Sequence, residues 1–432
     1  MISECLGINE IGHLTIGGLD VAELAAKFGT PLYLMDEDLI RKTCREYRDA
    51  MEHHFDGNCL VTYASKAFCA GYMYKILAEE GLGADVVSGG ELYTALCAGF
   101  DASRIFFHGN NKTREEMVYA VRSGVGHIIV DNREELHLLN SIACEEGKIV
   151  DIMFRIKPGV DAHTHEFIQT GKIDSKFGVA LENGEAFDIV KESLKLDNVR
   201  LAGVHCHIGS QIFESDPFEL AARIMMEFIA RVQRELGYEI RELDLGGGFG
   251  IKYLQSHDPK TPEENIAAAA RAVKNAAAEL GVAVPRVSIE PGRAIVAPAG
   301  ITVYTIGSVK EIKNVRNYVA IDGGMTDNPR YALYEAAYEV VCPTKMNAPR
   351  DYLCTVAGRC CESGDLIAKD TYIQPVEAGD LLCVLATGAY NYSMASNYNR
   401  VPRPPVVMVS GGEAKVVVRR ESFEDLVRND II

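Results

Sequence analysis

The sequence predicts an α/β protein: a (β/α)8 TIM-type barrel plus a mostly antiparallel β domain formed by both chain ends. Three observations predict it. Eight short apolar runs alternate with helix-like stretches through the middle of the chain. Beyond residue 298 the pattern becomes strand-rich, broken by Gly, Pro and Asp turns. And 432 residues exceed what one ordinary core serves, so two domains are expected.

The eight runs are, in order, CLVTYAS, GADVVSG, RIFFHG, GHIIVD, DIMFRI, LAGVHCHIG, ELDLGGG and RVSIEPG. Amphipathic stretches such as 71–81 and 90–100 lie between them. Strand–helix alternation argues for parallel sheet, and eight units over roughly 250 residues match a closed barrel. An open doubly wound sheet is the alternative, but no GxGxxG follows the first strand. The barrel is expected over 36–298, with 1–35 and 299–432 forming the split β domain. Strands are expected in AGITVYTIGSVKEI, NYVAIDGG, YLCTVAG, DLLCVLATG and PPVVMVSGG, and N-terminal strand material can return to pair with them.

Composition narrows the class of function. The chain is 47% apolar and 24% charged, with 44 basic against 61 acidic residues and a net charge of −17. That balance opposes sequence-independent binding of nucleic acid. The 12 cysteines are scattered without a CxxC pair, so reduced thiols in a cytoplasmic protein are expected. The N-terminus lacks a signal-peptide pattern, and no apolar run reaches the ~18 residues of a membrane span.

Barrel chemistry lies at the carboxyl ends of the strands. Those positions hold Lys66, Asp85, His108, Asp131, Arg155, His207, the triplet Gly246, Gly247 and Gly248, and Glu290 with Arg293. Solvated loops also carry polar residues, so no single position decides. Three glycines after strand seven suit a backbone phosphate cradle, to which Ser210 can add a hydroxyl; a ligand-free flexible loop is the plainer reading. His205 and His207 offer a rival, because an i, i+2 pair on one strand face suits a metal. That site wants ligands such as His108 and Asp131 from other strands, and no metal is expected. Glu290 can pair with Arg293 at the surface or face a cationic ring nitrogen. Lysine, carboxylate and cradle together suggest pyridoxal 5′-phosphate, whose aldehyde needs an amine and whose ring nitrogen needs an acid.

The segments YASKAF, HEFIQTGKIDSKFG, HCHIGSQ, DLGGGFG, IEPGR, CESGD and TGAYNYSMASNYN carry a further likeness. In this order, from residue 63 to 399, the chain resembles the fold type III (alanine-racemase-like) pyridoxal-phosphate decarboxylases. The resemblance implies that Lys66 holds the cofactor covalently, His207 stacks on its ring and Glu290 meets the ring nitrogen. Gly246, Gly247, Gly248, Gly292 and Ser210 would bind phosphate, with Asp85 and Arg155 nearby. Arg293, Arg330, Tyr334 and Glu362 would hold the distal end of the substrate, Tyr390 would touch substrate and cofactor, and Cys361 would donate a proton. Cys360 is left without a role, as are His163 and His165, and 163–178 is expected to be a loop able to cover the site.

In this family CESGD and the Tyr390 segment serve the opposite subunit, so a homodimer is implied. Two arginines favour meso-2,6-diaminopimelate, giving L-lysine, over another diamino acid such as D-ornithine, D-lysine or carboxynorspermidine. A catalytically silent relative is the rival of another class.

Overall fold

The computed structural model describes residues 1–160 and 175–431. The expected roles, or lack of them, for His163, His165 and most of segment 163–178 lie outside the described residues. The chain divides into a barrel unit, residues 43–250 and 259–292, and a β unit, residues 1–42, 251–258 and 293–432.

All eight expected strands form in the barrel unit: β1 Cys59–Ala64, β2 Gly83–Val86, β3 Ile105–Phe107, β4 His127–Val130, β5 Val150–Lys157, β6 Val199–His205, β7 Glu242–Asp244 and β8 Arg286–Ile289. Each pairs in parallel with its neighbour, and β8 pairs with β1 to close the ring. A two-residue strand, Val179–Ala180, adds to β5. Phe106, Ile129 and Met153, from β3, β4 and β5, form a buried cluster with Leu60 of β1 against it.

The helices between them carry legible ends. Arg114–Ser123 starts with a capping box between Thr113 and Glu116 and stops at Gly124, whose φ is +75°. Pro262–Leu280 repeats the device with Thr261, Glu264 and Gly281. The stretches expected at 71–81 and 90–100 are helices Gly71–Glu79 and Gly89–Cys97.

In the β unit the five expected strands appear as Gly300–Ile312, Arg316–Ile321, Tyr352–Ala357, Leu381–Leu385 and Val406–Ser410. The N-terminal strand Leu32–Asp36 returns to them, antiparallel to Gly300–Ile312 and parallel to Val406–Ser410. Its residues are all buried, as a central strand requires. Most pairings are antiparallel, with a second parallel one between Arg316–Ile321 and Tyr352–Ala357. Strands Leu366–Ile373 and Glu413–Val418 are additional; several of their residues face solvent, which weakens an apolar reading. Among the described residues no helix is long and apolar enough to cross a membrane.

Candidate active site

Lys66 stands exposed in the single 3₁₀ turn Ser65–Ala67 that leaves β1. Its neighbours Ser65 and Ala67 are buried, so the turn presents the lysine alone to solvent.

Four carboxyls are buried at the strand ends of this unit: Asp131 just past β4, and an interacting group of three, Asp85 on β2, Asp244 ending β7 and Glu290 just past β8. Their surroundings separate them. Burial works against ionising Glu290, but His108 and His205 hold it well below the usual carboxylate range. His205 Nε2 is 3.3 Å from Glu290 Oε2. His108 Nε2 lies 2.7 Å from Oε1, close enough for an ion pair although not aligned as a hydrogen bond. Burial and the negative charge of Glu290 push Asp85 up to about 7, against the pull of His108 and Lys66. The same two causes raise Asp244 well above its ordinary value. Of the three, Glu290 is the one kept anionic.

His207 lies two residues beyond the end of β6, not at its close. Burial, then Lys66 and Arg155, pushes its pKa well below the usual imidazole range. Its Nδ1 accepts the Gly247 N–H at 3.3 Å, which leaves the ring proton on Nε2. Because His207 is off the strand, the alternation that put it on one face with His205 does not apply. His205 faces Glu290 and His207 faces Gly247. The histidines and carboxylate that do converge are His108, His205 and Glu290. Asp131 accepts instead from Gly178 N–H at 2.9 Å, and the Arg155 guanidinium stacks 4.4 Å from the Phe177 ring.

The glycine run is shaped by close backbone approaches. Gly246 and Gly248 have φ of +69° and +109°. A Cβ on Gly247 would lie 2.1 Å from Glu290 O, and one on Gly248 would lie 2.4 Å from Gly209 O. Gly246 N–H donates to Asp244 Oδ1 at 2.7 Å and Gly247 N–H to His207. Two of the three amides thus brace the turn. Ser210 is half-buried in the facing loop, tied to this one where Ile212 N–H meets Gly248 O at 3.0 Å. Gly292 is required as well, since a Cβ there would meet Ala64 Cβ at 2.8 Å.

A second cluster belongs to the β unit. Arg293, 7% exposed, donates through Nη1 to the Tyr253 hydroxyl at 2.6 Å. Its guanidinium lies 4.6 Å from the Tyr390 ring centroid and 5.7 Å from that of Tyr253. Arg330 heads the short helix Arg330–Tyr334 and lies 5.4 Å from Tyr390, 5.7 Å from Tyr334 and 6.0 Å from Tyr253. Tyr390 adopts φ +61°, a strained setting for a bulky side chain. Asn391 braces it by donating to Thr387 O and Ala389 O.

Tyr390 thus lies against two arginines of its own chain. The cause is pairing: Leu381–Leu385, just before it, runs antiparallel to Gly300–Ile312, just after Arg293. The approach of Gly388 to Val296, where a Cβ would sit 1.8 Å from the carbonyl oxygen, tightens that link.

Cys361 and Glu362 are exposed, and among the described residues no ion pair joins Glu362 to either arginine. Cys361 N–H donates to Asn399 Oδ1 at 2.7 Å. The adjacent Cys360 thiol is pushed up to about 11 by burial and by Asp365. Asp365, 2% exposed, accepts from Met325 N–H at 2.6 Å and Cys360 N–H at 2.7 Å, holding two loops together.

Four functional residues escape sequence reasoning: Tyr253, His108 and His205 as partners of Glu290, and Asp365 as loop brace. The aromatic closing GFGIKY, next to the glycine run, was the available signal for Tyr253.

A closed parallel barrel with an exposed lysine after β1, an anionic glutamate after β8 and a glycine turn after β7 defines the class of pyridoxal-dependent enzymes. Residues 37–297 match the family described as pyridoxal-dependent decarboxylase, pyridoxal binding domain. Diaminopimelate decarboxylases from Bacillus subtilis and Halalkalibacterium halodurans are each 48% identical to the chain, with 98% of it and 96% of each relative covered. The crystal structure of diaminopimelate decarboxylase from M. jannaschii in complex with L-lysine superposes with a TM-score of 0.93 at 36% identity, covering 100% of this chain and 99% of that one. The chain belongs to the diaminopimelate decarboxylase family, carboxy-lyases whose cofactor is pyridoxal phosphate. The barrel residues fit that cofactor: an exposed amine, a carboxylate held anionic, a half-buried neutral imidazole, and a glycine turn.

Proposed function

We propose that the protein decarboxylates meso-2,6-diaminopimelate to L-lysine and carbon dioxide, the last step of lysine biosynthesis, in the cytoplasm. The observation that carries this reading is the pair Arg293 and Arg330, caged by tyrosines. A substrate whose distal end is a bare ammonium would meet two cations there, whereas an amino-acid end brings a carboxylate.

Lys66 would hold the cofactor aldehyde, His207 a ring face and Glu290 the ring nitrogen. Gly248, the Gly292 turn and Ser210 would hold the phosphate, with Gly246 and Gly247 shaping the turn and Asp85 and Arg155 alongside. The bound cofactor supplies an electron sink for the pair left on the substrate Cα when carbon dioxide departs. Glu290, anionic between two imidazoles, holds the proton at the ring nitrogen. Arg293, Arg330 and Tyr334 orient the distal carboxylate, and Glu362 reads the distal ammonium. Cys361 Sγ, or Lys66 Nζ, returns a proton to Cα. The exposure of Cys361 and Glu362 supports a homodimer in which the CESGD loop completes the partner's site.

Product analysis with meso-diaminopimelate, ornithine, arginine and D-lysine tests the reading. Lysine should appear from the first alone; its absence refutes the substrate. In a parallel test, Lys66→Ala should abolish the borohydride-reducible cofactor adduct, and an unchanged visible spectrum would count against the role of Lys66.

A further inference from the structure

We infer that Tyr253 is a positioning residue for substrate specificity: its hydroxyl orients Arg293 and its ring seats both guanidiniums, so that together they select a distal carboxylate. The inference rests on the proposed diaminopimelate reading and adds a residue that does not itself carry the charge.

Tyr253 is 6% exposed and closes the segment GFGIKY. Its own segment is anchored within the β unit, with Tyr253 N–H donating to His257 Nδ1 at 3.3 Å and Gln255 N–H to Glu339 Oε1 at 3.4 Å. The hydroxyl accepts from Arg293 Nη1 at 2.6 Å, a charge-assisted bond that helps orient a guanidinium buried almost completely. Having accepted that bond, the phenol still has its own proton to donate to an anion. The Tyr253 ring lies within 6.0 Å of both Arg293 and Arg330 and packs edge-on to Tyr338 at 5.3 Å and 89°.

Two like charges thus share the rings of Tyr253 and Tyr390. Arg330 Nε is buried without a hydrogen-bond partner among the described residues, and no carboxylate among them lies within ion-pair distance of Arg330. A carboxylate arriving between the guanidiniums relieves their repulsion and satisfies that nitrogen; an ammonium or an apolar end does neither. Without the hydroxyl, Arg293 keeps its charge and its ring contacts but loses this one bond to Nη1. Discrimination should therefore fall while basal binding of the rest of the ligand stays.

The test uses L-lysine, which retains a carboxylate beside the distal amine, and cadaverine, which lacks it. Both are titrated calorimetrically into the holoenzyme, wild type and Tyr253→Phe, with retention of cofactor absorbance as the check on folding. The expected result is an affinity for L-lysine about tenfold weaker in Tyr253→Phe, the loss of one charge-assisted bond, with cadaverine unchanged. The KM for meso-diaminopimelate should rise similarly with kcat within about twofold. Equal loss of both ligands, or no loss of either, overturns the inference while a wild-type preference for L-lysine leaves the functional reading standing. If the wild type itself does not prefer L-lysine to cadaverine, the reading and the inference fall together. Tyr253→His, which keeps an aromatic ring and an acceptor nitrogen, should recover part of the preference; failure of both variants to differ from wild type is again an overturning result.

Discussion

The barrel unit and the β unit each bury charge, and they do so by different means. Around Glu290 the charge is one anion, and two imidazoles offset the cost of burying it. Around Arg293 and Arg330 the charges are two cations, set against tyrosine faces and one phenol oxygen. The first arrangement is compensated within its own unit: both Glu290 oxygens face imidazoles, and burial together with the Glu290 charge drives Asp85 and Asp244 toward their neutral forms. The second is open at Arg330, whose buried Nε has no hydrogen-bond partner among the described residues and whose aromatic neighbours stabilise the guanidinium without neutralising it. A compensated site sets the protonation state of what binds beside it; an open one selects for opposite charge.

Substitutions can break this contrast in a predictable order. The largest effect is expected from Glu290→Gln, which removes the anion while keeping the shape. It should lower kcat by about 10²–10³-fold, the range for losing one preorganised electrostatic group, and steady-state kinetics will show it as a kcat effect. Arg330→Ala should act mainly on KM for meso-diaminopimelate, raising it about 10–100-fold, as expected for a lost charged hydrogen bond. If Arg330→Ala lowers kcat as much as Glu290→Gln does, the division between compensated and open clusters is wrong.

Asp327 provides a third, structural contrast inside the β unit. It accepts the Tyr304 hydroxyl and the Gly324 N–H, and burial pushes its pKa up to about 7. Its folded pKa is raised, so the folded state binds the proton more tightly than the unfolded chain does. The resulting stability is fully present below about 3.8, where both states are protonated, and is lost as pH rises toward about 7. Asp327→Asn should flatten that part of the profile, measured by denaturant unfolding across pH 4–8, and an unaltered slope would exclude Asp327 as its source. The smallest effect belongs to Cys360→Ser, expected within a few-fold of wild type in kcat, whereas Cys361→Ala should lose about 10²-fold or more as a missing acid. Equal losses would reassign the proton donor.

Much of this was legible in the chain. Each barrel strand lies in an apolar run that gives way to small or polar residues, so Lys66, Asp85 and Glu290 can be placed at or near strand ends by counting alone. The cradle was legible as three consecutive glycines, though not that two of their amides would turn inward to Asp244 and His207. Leu366–Ile373 is not legible as a strand because its mixed exposure dilutes the apolar signal that marks its neighbours. That Tyr390 packs on Arg293 and Arg330 of its own chain is not legible, because strand partners cannot be read from one chain's order.

The sequence by itself determined the periodicity, the strand ends, the capping boxes at Thr113 and Thr261, and the family motifs, because these depend on residues near one another in the chain. Only the tertiary structure decided which carboxyl is ionised and which aromatic holds an arginine. His108, His205 and Glu290 lie on three different strand ends, and Tyr253 and Tyr390 approach Arg293 from opposite directions along the chain. Burial and charge proximity set those properties, and both exist only once the barrel has closed and the β-unit strands have paired.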